Sequence, residues 1–135
     1  MIKSTAPGKV VLWGEYAVLV GAAAGVMALN TPATVAASRS TDDEWHFSSQ
    51  GFKAKPASCP ANELPKNSST ALLAAILRHW GFVSLDQCGQ AMRIHTDSSA
   101  FFQDSRKLGL GSSAAVCAAT YRLLCELTAR NPVSY

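Results

Sequence analysis

Two short stretches carry the residues best suited to chemistry. Residues 106–124, RKLGLGSSAAVCAATYRLL, set two glycines and two serines directly ahead of an apolar-patterned segment. A helix beginning at Ser112 leaves its first backbone N–H groups without intrahelical partners and carries a partial positive charge at that end. Gly109 and Gly111, flanking Leu110, let the backbone bend and approach a ligand with no Cβ in the way. Ser112 and Ser113 add hydroxyls that can bond phosphate oxygens or one metal ion. Ala114 and Ala115 keep the first turn slim, and Lys107 brings a full charge toward the same anion. Together they describe a phosphate cradle, with an ordinary serine-capped helix start as the plainer reading. The loop is not G-x-x-x-x-G-K-[ST], because no lysine follows the second glycine. Nor is it G-x-G-x-x-G, because Ala114 stands at the third glycine's place. The second stretch, APGKVVLWGEYAVLVG at 6–21, presents Lys9 as a cation straight after Pro7-Gly8. Glu15 and Tyr16 follow Gly14, the first as a strand-end carboxylate and the second as an aromatic body with a wet hydroxyl.

Elements must hold these groups in place. Residues 2–20 read as strand, turn, strand, turn, strand, with a turn at Pro7-Gly8, β-formers from Val10 to Trp13, and a second apolar run from Ala17 to Val20 closed by Gly21. GVMALN and TPATVAASRS read as strands on either side of a break at Thr31-Pro32. EWHFSSQGF alternates and suits an edge strand or hairpin arm. Residues 53–67 carry three prolines and no periodicity, which marks a surface loop that connects, or alternatively binds. A helix is expected from Ser68 or Ser69, capped by a serine and stopped by Gly81, with Leu72, Leu73, Ile76, Leu77 and Trp80 on its packed face. AMRIHTD at 91–97 alternates as a strand. The second helix should run from Ser112 to about Thr128, bury Val116, Thr120, Leu123, Leu124 and Leu127, and end at Asn131-Pro132. His46, His79 and His95 each stand without an obvious partner in the sequence.

Bulk composition sets the outer limits. The chain has 135 residues, 48% hydrophobic and 16% charged, with a net charge of +3, enough for one domain with a core. No Lys/Arg run points to nucleic acid, and a few placed lysines suit a small phosphorylated ligand better. No C-x-x-C pair suggests zinc among the four cysteines. Cys117 and Cys125 lie about 12 Å apart along the second helix, beyond the ~7 Å reach of a disulfide. Reduced, buried thiols are expected at all four positions. Lys9 and Glu15 interrupt the first apolar stretch, and no run reaches the ~18 residues of a membrane span, so a soluble, cytoplasmic protein without a membrane partner is expected.

APGKVVLWGEYAVLVG (6–21) and KLGLGSSAAV (107–116), in that order and about a hundred residues apart, resemble the first and second motifs of the GHMP small-molecule kinases. That superfamily includes galactokinase, homoserine kinase, mevalonate kinase and phosphomevalonate kinase. The A-P-G-K-x-x-L-x-G-E form resembles the mevalonate-pathway branch. Gly14-Glu15-Tyr16 stands where mevalonate kinases usually read G-E-H, and Ser105-Arg106-Lys107 stands where they usually carry an upstream proline. Both details lean toward phosphomevalonate kinases, with mevalonate kinase next.

The resemblance implies an α+β fold like domain 2 of ribosomal protein S5, a mixed sheet with helices packed on one side. It implies transfer of the ATP γ-phosphoryl group to a small acceptor, with Mg²⁺. By resemblance, Lys107, Gly109, Leu110, Gly111, Ser112, Ser113 and Ala114 hold the ATP phosphates, and Ser112 or Ser113 contacts the metal. Lys9 faces the transferred group as the catalytic lysine, and Lys9, Glu15 and Tyr16 lie on the acceptor side. The third family motif, K-x-T-G-x-G-x-G-G, and the later aspartate of many members have no match here. Residues 1–135 are therefore expected to be the N-terminal, ATP-binding domain, with the C-terminal domain outside this chain. Part of a longer kinase, a truncated inactive product, and a half that pairs with a second chain or with itself are the three readings of that organisation, the first preferred. A non-catalytic nucleotide-binding module and a non-binding structural fragment are the rival functions.

Overall fold

A computed structural model describes residues 1–52 and 54–132. Its frame is a five-stranded mixed sheet in the order β1-β2-β5-β3-β4. β1 (Ile2–Trp13) and β2 (Gly25–Arg39) form a long antiparallel arm. β3 (Glu44–Gln50) pairs antiparallel with β4 (Ala57–Pro60) and parallel with β5 (Met92–Asp97), which in turn lies antiparallel to β2. The two helices, α1 (Ala71–His79) and α2 (Ser112–Leu127), complete the α+β layers expected from the sequence.

The helices share one face of the sheet because the strands alternate. Ala33, Val35 and Ala37 of β2 are fully buried, whereas Thr34, Ala36 and Ser38 on the other face are not. Trp45 and Phe47 of β3 and Met92 and Ile94 of β5 extend that buried face. α2 packs on β1 and β2, and the alanines explain the fit. Ala115 and Ala119 of the helix share one buried cluster with Ala6 of β1 and Ala33 and Ala37 of β2, and Leu123 and Leu124 belong to the same core. Beyond the end of α2 the Arg130 guanidinium lies 5.1 Å from the Trp80 ring centroid and 5.3 Å from that of Phe82, which ties the two helix ends together.

Several local expectations are corrected. Pro7-Gly8 is not a turn, because β1 runs through it with a register irregularity after Pro7. The Thr31-Pro32 break is likewise absorbed, with Pro32 directly opposite Pro7. Both prolines are tolerated for positional reasons. β1 is an edge strand, and β5 ends opposite Thr34, so Pro32 has only β1 beside it. Ala17–Val20 forms a 3₁₀ turn rather than a strand. Gly14, at φ +79°, turns the chain there, and all four residues stay exposed, so no core face draws them into a sheet.

The loop at 53–67 contains β4, whose Cys59 is buried opposite Trp45. β3 is consequently a hairpin arm but an interior strand. α1 is preceded by a 3₁₀ turn, Ser68–Thr70, and no side chain caps it; Thr70 Oγ1 instead donates to the Asn67 carbonyl at 2.9 Å. α2 stops before Asn131-Pro132, where Ala129 takes a positive φ of 51°. Val116 and Leu127 are half-buried, and Ala115, Ala119 and Cys125 join the buried stripe in their place. Cys59, Cys88 and Cys125 are buried free thiols as expected, but Cys117 is exposed. His46 and His95 do have partners, Asp42 and Ser48.

Candidate functional site

The glycine-serine loop is delivered by a small hairpin of two short strands, β6 (Phe102–Gln103) and β7 (Arg106–Lys107). Its two turn residues, Asp104 and Ser105, both take positive φ, 47° and 65°, the twist that a two-residue hairpin favours. Lys107 thereby leaves the sheet edge just before the loop. Gly109 (φ +72°) and Gly111 (φ +76°) then reverse the chain into α2. Gly111 occupies the N-cap position and no side chain caps the helix. The first intrahelical bond runs from the Ala115 N–H to the Gly111 carbonyl at 3.1 Å, so the N–H groups of Ser112, Ser113 and Ala114 are those with no acceptor inside the helix.

The loop closes directly on the first motif. The Lys9 N–H donates to the Leu110 carbonyl at 2.9 Å. Contact is so tight that a Cβ on Gly8 would fall 2.8 Å from the Leu110 oxygen and 2.7 Å from the Phe101 ring, and one on Gly111 would fall 2.9 Å from Lys9 Cγ. Two motifs a hundred residues apart in sequence are one steric unit. Gly109, by contrast, has open space where its Cβ would be, which is what close approach by a ligand requires.

Beside the start of α2 lies a cavity of about 470 Å³. Lys107, Ser112 and Ser113 form its loop side, and the Lys107 ammonium donates to Ser113 Oγ at 3.5 Å. Ser68, Ser69 and Leu72 supply the wall opposite, and Lys55 and Phe52 reach in from the segment before β4. Those last five residues were not singled out as site residues from the sequence. Lys55 was the readable signal, since it is a cation in a proline-rich loop with no carboxylate near it in sequence.

Of the first-motif residues, Lys9 is exposed and anchored through its backbone to the loop. Glu15 and Tyr16 are exposed in the turn after Gly14 and do not line the cavity, nor does Lys9. Among the described residues no cluster of three or more His, Cys, Asp or Glu side chains could hold a metal by itself. The Ser112 and Ser113 hydroxyls could each give one oxygen to a Mg²⁺ that takes its remaining ligands from phosphates and water, so the donor set fits a phosphate-bound ion and not a free one. No helix among the described residues is long and apolar enough to cross a membrane.

No protein-family model matches this sequence, and no curated protein sequence matches it significantly. Solved structures do match in fold. Phosphomevalonate kinase of Streptococcus pneumoniae, solved with phosphomevalonate and AMPPNP, superimposes with a TM-score of 0.73 at 21% identity over 98% of this chain and 39% of its own. Mevalonate kinase of Methanococcus jannaschii gives 0.74 at 20% identity, over 98% and 42%. Galactokinase of Lactococcus lactis, solved with galactose, gives 0.72 at 17% identity, over 97% and 34%. This chain has the fold of the matching portion of those kinases. It spans about two fifths of their length or less.

Proposed function

We propose that this chain is the nucleotide-binding portion of a GHMP-type small-molecule kinase, one that moves the ATP γ-phosphoryl group onto phosphomevalonate or a similar isoprenoid-pathway intermediate. The observation that carries the reading is the uncapped N-terminus of α2, opened by Gly109 and Gly111 and closed on Lys9, with Lys107 and Ser113 at the mouth of the 470 Å³ cavity. The fold shared with phosphomevalonate kinase, mevalonate kinase and galactokinase supports it. The acceptor preference rests on Glu15-Tyr16 and Arg106-Lys107 in the two motifs.

In this reading the N–H groups of Ser112, Ser113 and Ala114 bind phosphate oxygens, Lys107 adds charge to the same group, and one of the two serine hydroxyls would give an oxygen to Mg²⁺. When bound, that ion would offset charge on the phosphates. Lys9 stabilises charge on the transferred group, and Glu15 and Tyr16 orient the acceptor. Those three residues lie outside the cavity, so the acceptor side is assembled with a further polypeptide portion. The surface suited to receive it is the tip of the β1–β2 arm, where Leu12, Trp13, Leu19, Val20, Val26 and Met27 are all exposed. A nucleotide-binding module without catalysis is the second reading, favoured by the same separation of Glu15 and Tyr16 from the cavity.

Calorimetric titration of the chain with Mg·ATP tests the nucleotide reading. Lys107→Ala combined with Ser113→Ala is expected to weaken binding by about 1–3 kcal/mol, the range for charge-assisted hydrogen bonds. Unchanged affinity would refute the cradle. Phosphorylation of phosphomevalonate by the chain joined to its complementary portion, abolished by Lys9→Ala with ATP binding intact, separates the kinase from the module.

A further inference from the structure

Two lysines border the cavity beside α2, and different loops supply them. Lys107 stands just before the glycine-serine loop, and Lys55 stands in the connection between β3 and β4. Among the described residues the rest of the lining is hydroxyls and apolar side chains, and none of it is Asp or Glu. Two ammonium groups at one cavity with no carboxylate beside them repel each other until an anion enters. A nucleotide triphosphate brings several negative charges to the start of α2, more than the one ammonium of Lys107 can offset.

The acids of this region do not neutralise Lys55. Asp97 falls in sequence between the lining residues Thr96 and Ser98 but does not line the cavity, and its carboxylate accepts from the Ser99 N–H and hydroxyl at 2.9 and 2.6 Å. Asp104 sits in the turn of the β6–β7 hairpin and forms an ion pair with neither lysine. Glu63 is taken by Lys66, at 2.6 Å. Lys55 has no ion pair among the described residues, yet the backbone that carries it is held. Gly51, at φ +86°, lies so close to the Ser98–Ser99 backbone that a Cβ there would fall 2.5 Å from the Ser99 nitrogen. The Phe52 carbonyl accepts from the Ser49 hydroxyl at 3.2 Å and from the Ala54 N–H at 2.8 Å. Pro56 then restricts Lys55 toward extended backbone and leads into β4. The loop is anchored at both ends, and the side chain it presents is exposed and unpaired.

We propose that Lys55 is a second phosphate-binding cation of this site, which holds the phosphate chain of the nucleotide from the β3–β4 connection while Lys107 and the N-terminus of α2 hold it from the glycine-serine loop. The proposal rests on the nucleotide reading and assigns Lys55 a role that the two sequence motifs do not contain. A flexible stem with a compact charge suits this task, because it can follow an anion whose exact place is fixed by the N–H groups of the helix.

Its test is calorimetric titration of the chain with Mg·ATP, with tripolyphosphate and with adenosine, each at two salt concentrations. Lys55→Met, which keeps the apolar stem, should weaken Mg·ATP and tripolyphosphate at least fivefold, make both less sensitive to salt, and leave adenosine unchanged. Lys55→Arg should recover most of the loss. Because the side chain is exposed and unpaired, the ligand-free Lys55→Met chain should unfold at the wild-type temperature. An equal loss for adenosine, or a lowered unfolding temperature, would mean that Lys55 only shapes the cavity and would overturn the proposal. Mg·ATP binding kept in full by Lys55→Met would overturn it too, and would leave the nucleotide reading standing. Absence of Mg·ATP binding by the wild-type chain would instead refute the nucleotide reading, and this proposal with it.

Discussion

Gly111→Ala measures how firmly the glycine loop and the first motif are joined. An L-residue held at φ +76° costs about 1–2 kcal/mol of backbone strain. The added methyl also falls 2.9 Å from Lys9 Cγ, although it clears the Lys9 carbonyl and amide at 3.4 and 3.5 Å. The Lys9 stem can swing aside, but only by leaving its rotamer, at roughly 0.5–1.5 kcal/mol. A total of about 2–3 kcal/mol is expected in urea denaturation of the ligand-free chain. Gly109→Ala is the internal control. Its φ of +72° carries the same backbone strain, and nothing lies within 4 Å of its Cβ position, so it should lose only about 1–2 kcal/mol. The excess at Gly111 belongs to Lys9 and must vanish when Lys9 is truncated. In the cycle with Lys9→Ala, Gly111→Ala should become as mild as Gly109→Ala, a coupling of roughly 0.5–1.5 kcal/mol. Equal losses at the two glycines, or an excess that survives Lys9→Ala, would refute the steric union of the motifs.

Other outcomes follow from the same contacts. Gly8→Ala should be harsher than either loop substitution, about 3 kcal/mol or more in denaturant, because its Cβ would meet the Phe101 ring and the carbonyl oxygens of Leu110 and Thr31 at 2.7, 2.8 and 3.2 Å; a loss below that of Gly109→Ala would contradict the packing. Hydrogen bonds from His46 and then Ser40 hold the Asp42 carboxyl at about 2, below its ordinary 3.8. The native state therefore binds that proton less tightly than the unfolded chain, so the Asp42 contribution is complete above about pH 4 and fades as pH falls through about 2. Urea midpoints between pH 5 and 2.5 should fall less steeply in Asp42→Asn, and identical slopes would rule the pair out. Burial pushes the Cys88 thiol up to about 11, and Cys117 is the exposed cysteine of α2. At pH 8 a thiol reagent should give one fast phase that disappears in Cys117→Ser; a fast phase that persists would mean a buried thiol is open to solvent.

What the sequence made legible was what local pattern alone decides. α2 begins at the expected Ser112 and stops one residue short of the expected Thr128, because its 3.6-residue stripe, small first turn and glycine entry all agree. β5 falls within the stretch marked by alternation. The errors share one cause, which is punctuation read without neighbours. Pro7 and Pro32 look like breaks until an edge position and the end of β5 make their missing N–H groups harmless. Ala17–Val20 looks like a strand until no partner strand lies beside it. β4 is too short to show a period and is fixed by Cys59 opposite Trp45. The glycine-serine loop was legible as a motif, but the opposite wall of the cavity beside it, at Ser68, Ser69 and Lys55, was not, since nothing in the intervening sequence says which loop folds back over α2.

The bond from the Lys9 N–H to the Leu110 carbonyl bears on how such a site works. A loop built for phosphate from backbone N–H groups has little stiffness of its own, because glycines at positive φ are the residues least restrained by sterics. Rigidity must come from what the loop rests on, and here it rests on β1, an edge strand held along its length by β2 and covered by α2. The same contact fixes the backbone of Lys9, the lysine of the first motif. The loop and Lys9 are thus held together by one set of packed glycines, Gly8 beneath Leu110 and Gly111 against the Lys9 stem, and not by a carboxylate partner. That leaves the ammonium of Lys9 without an ion pair among the described residues, as the role proposed for it beside a phosphoryl group requires.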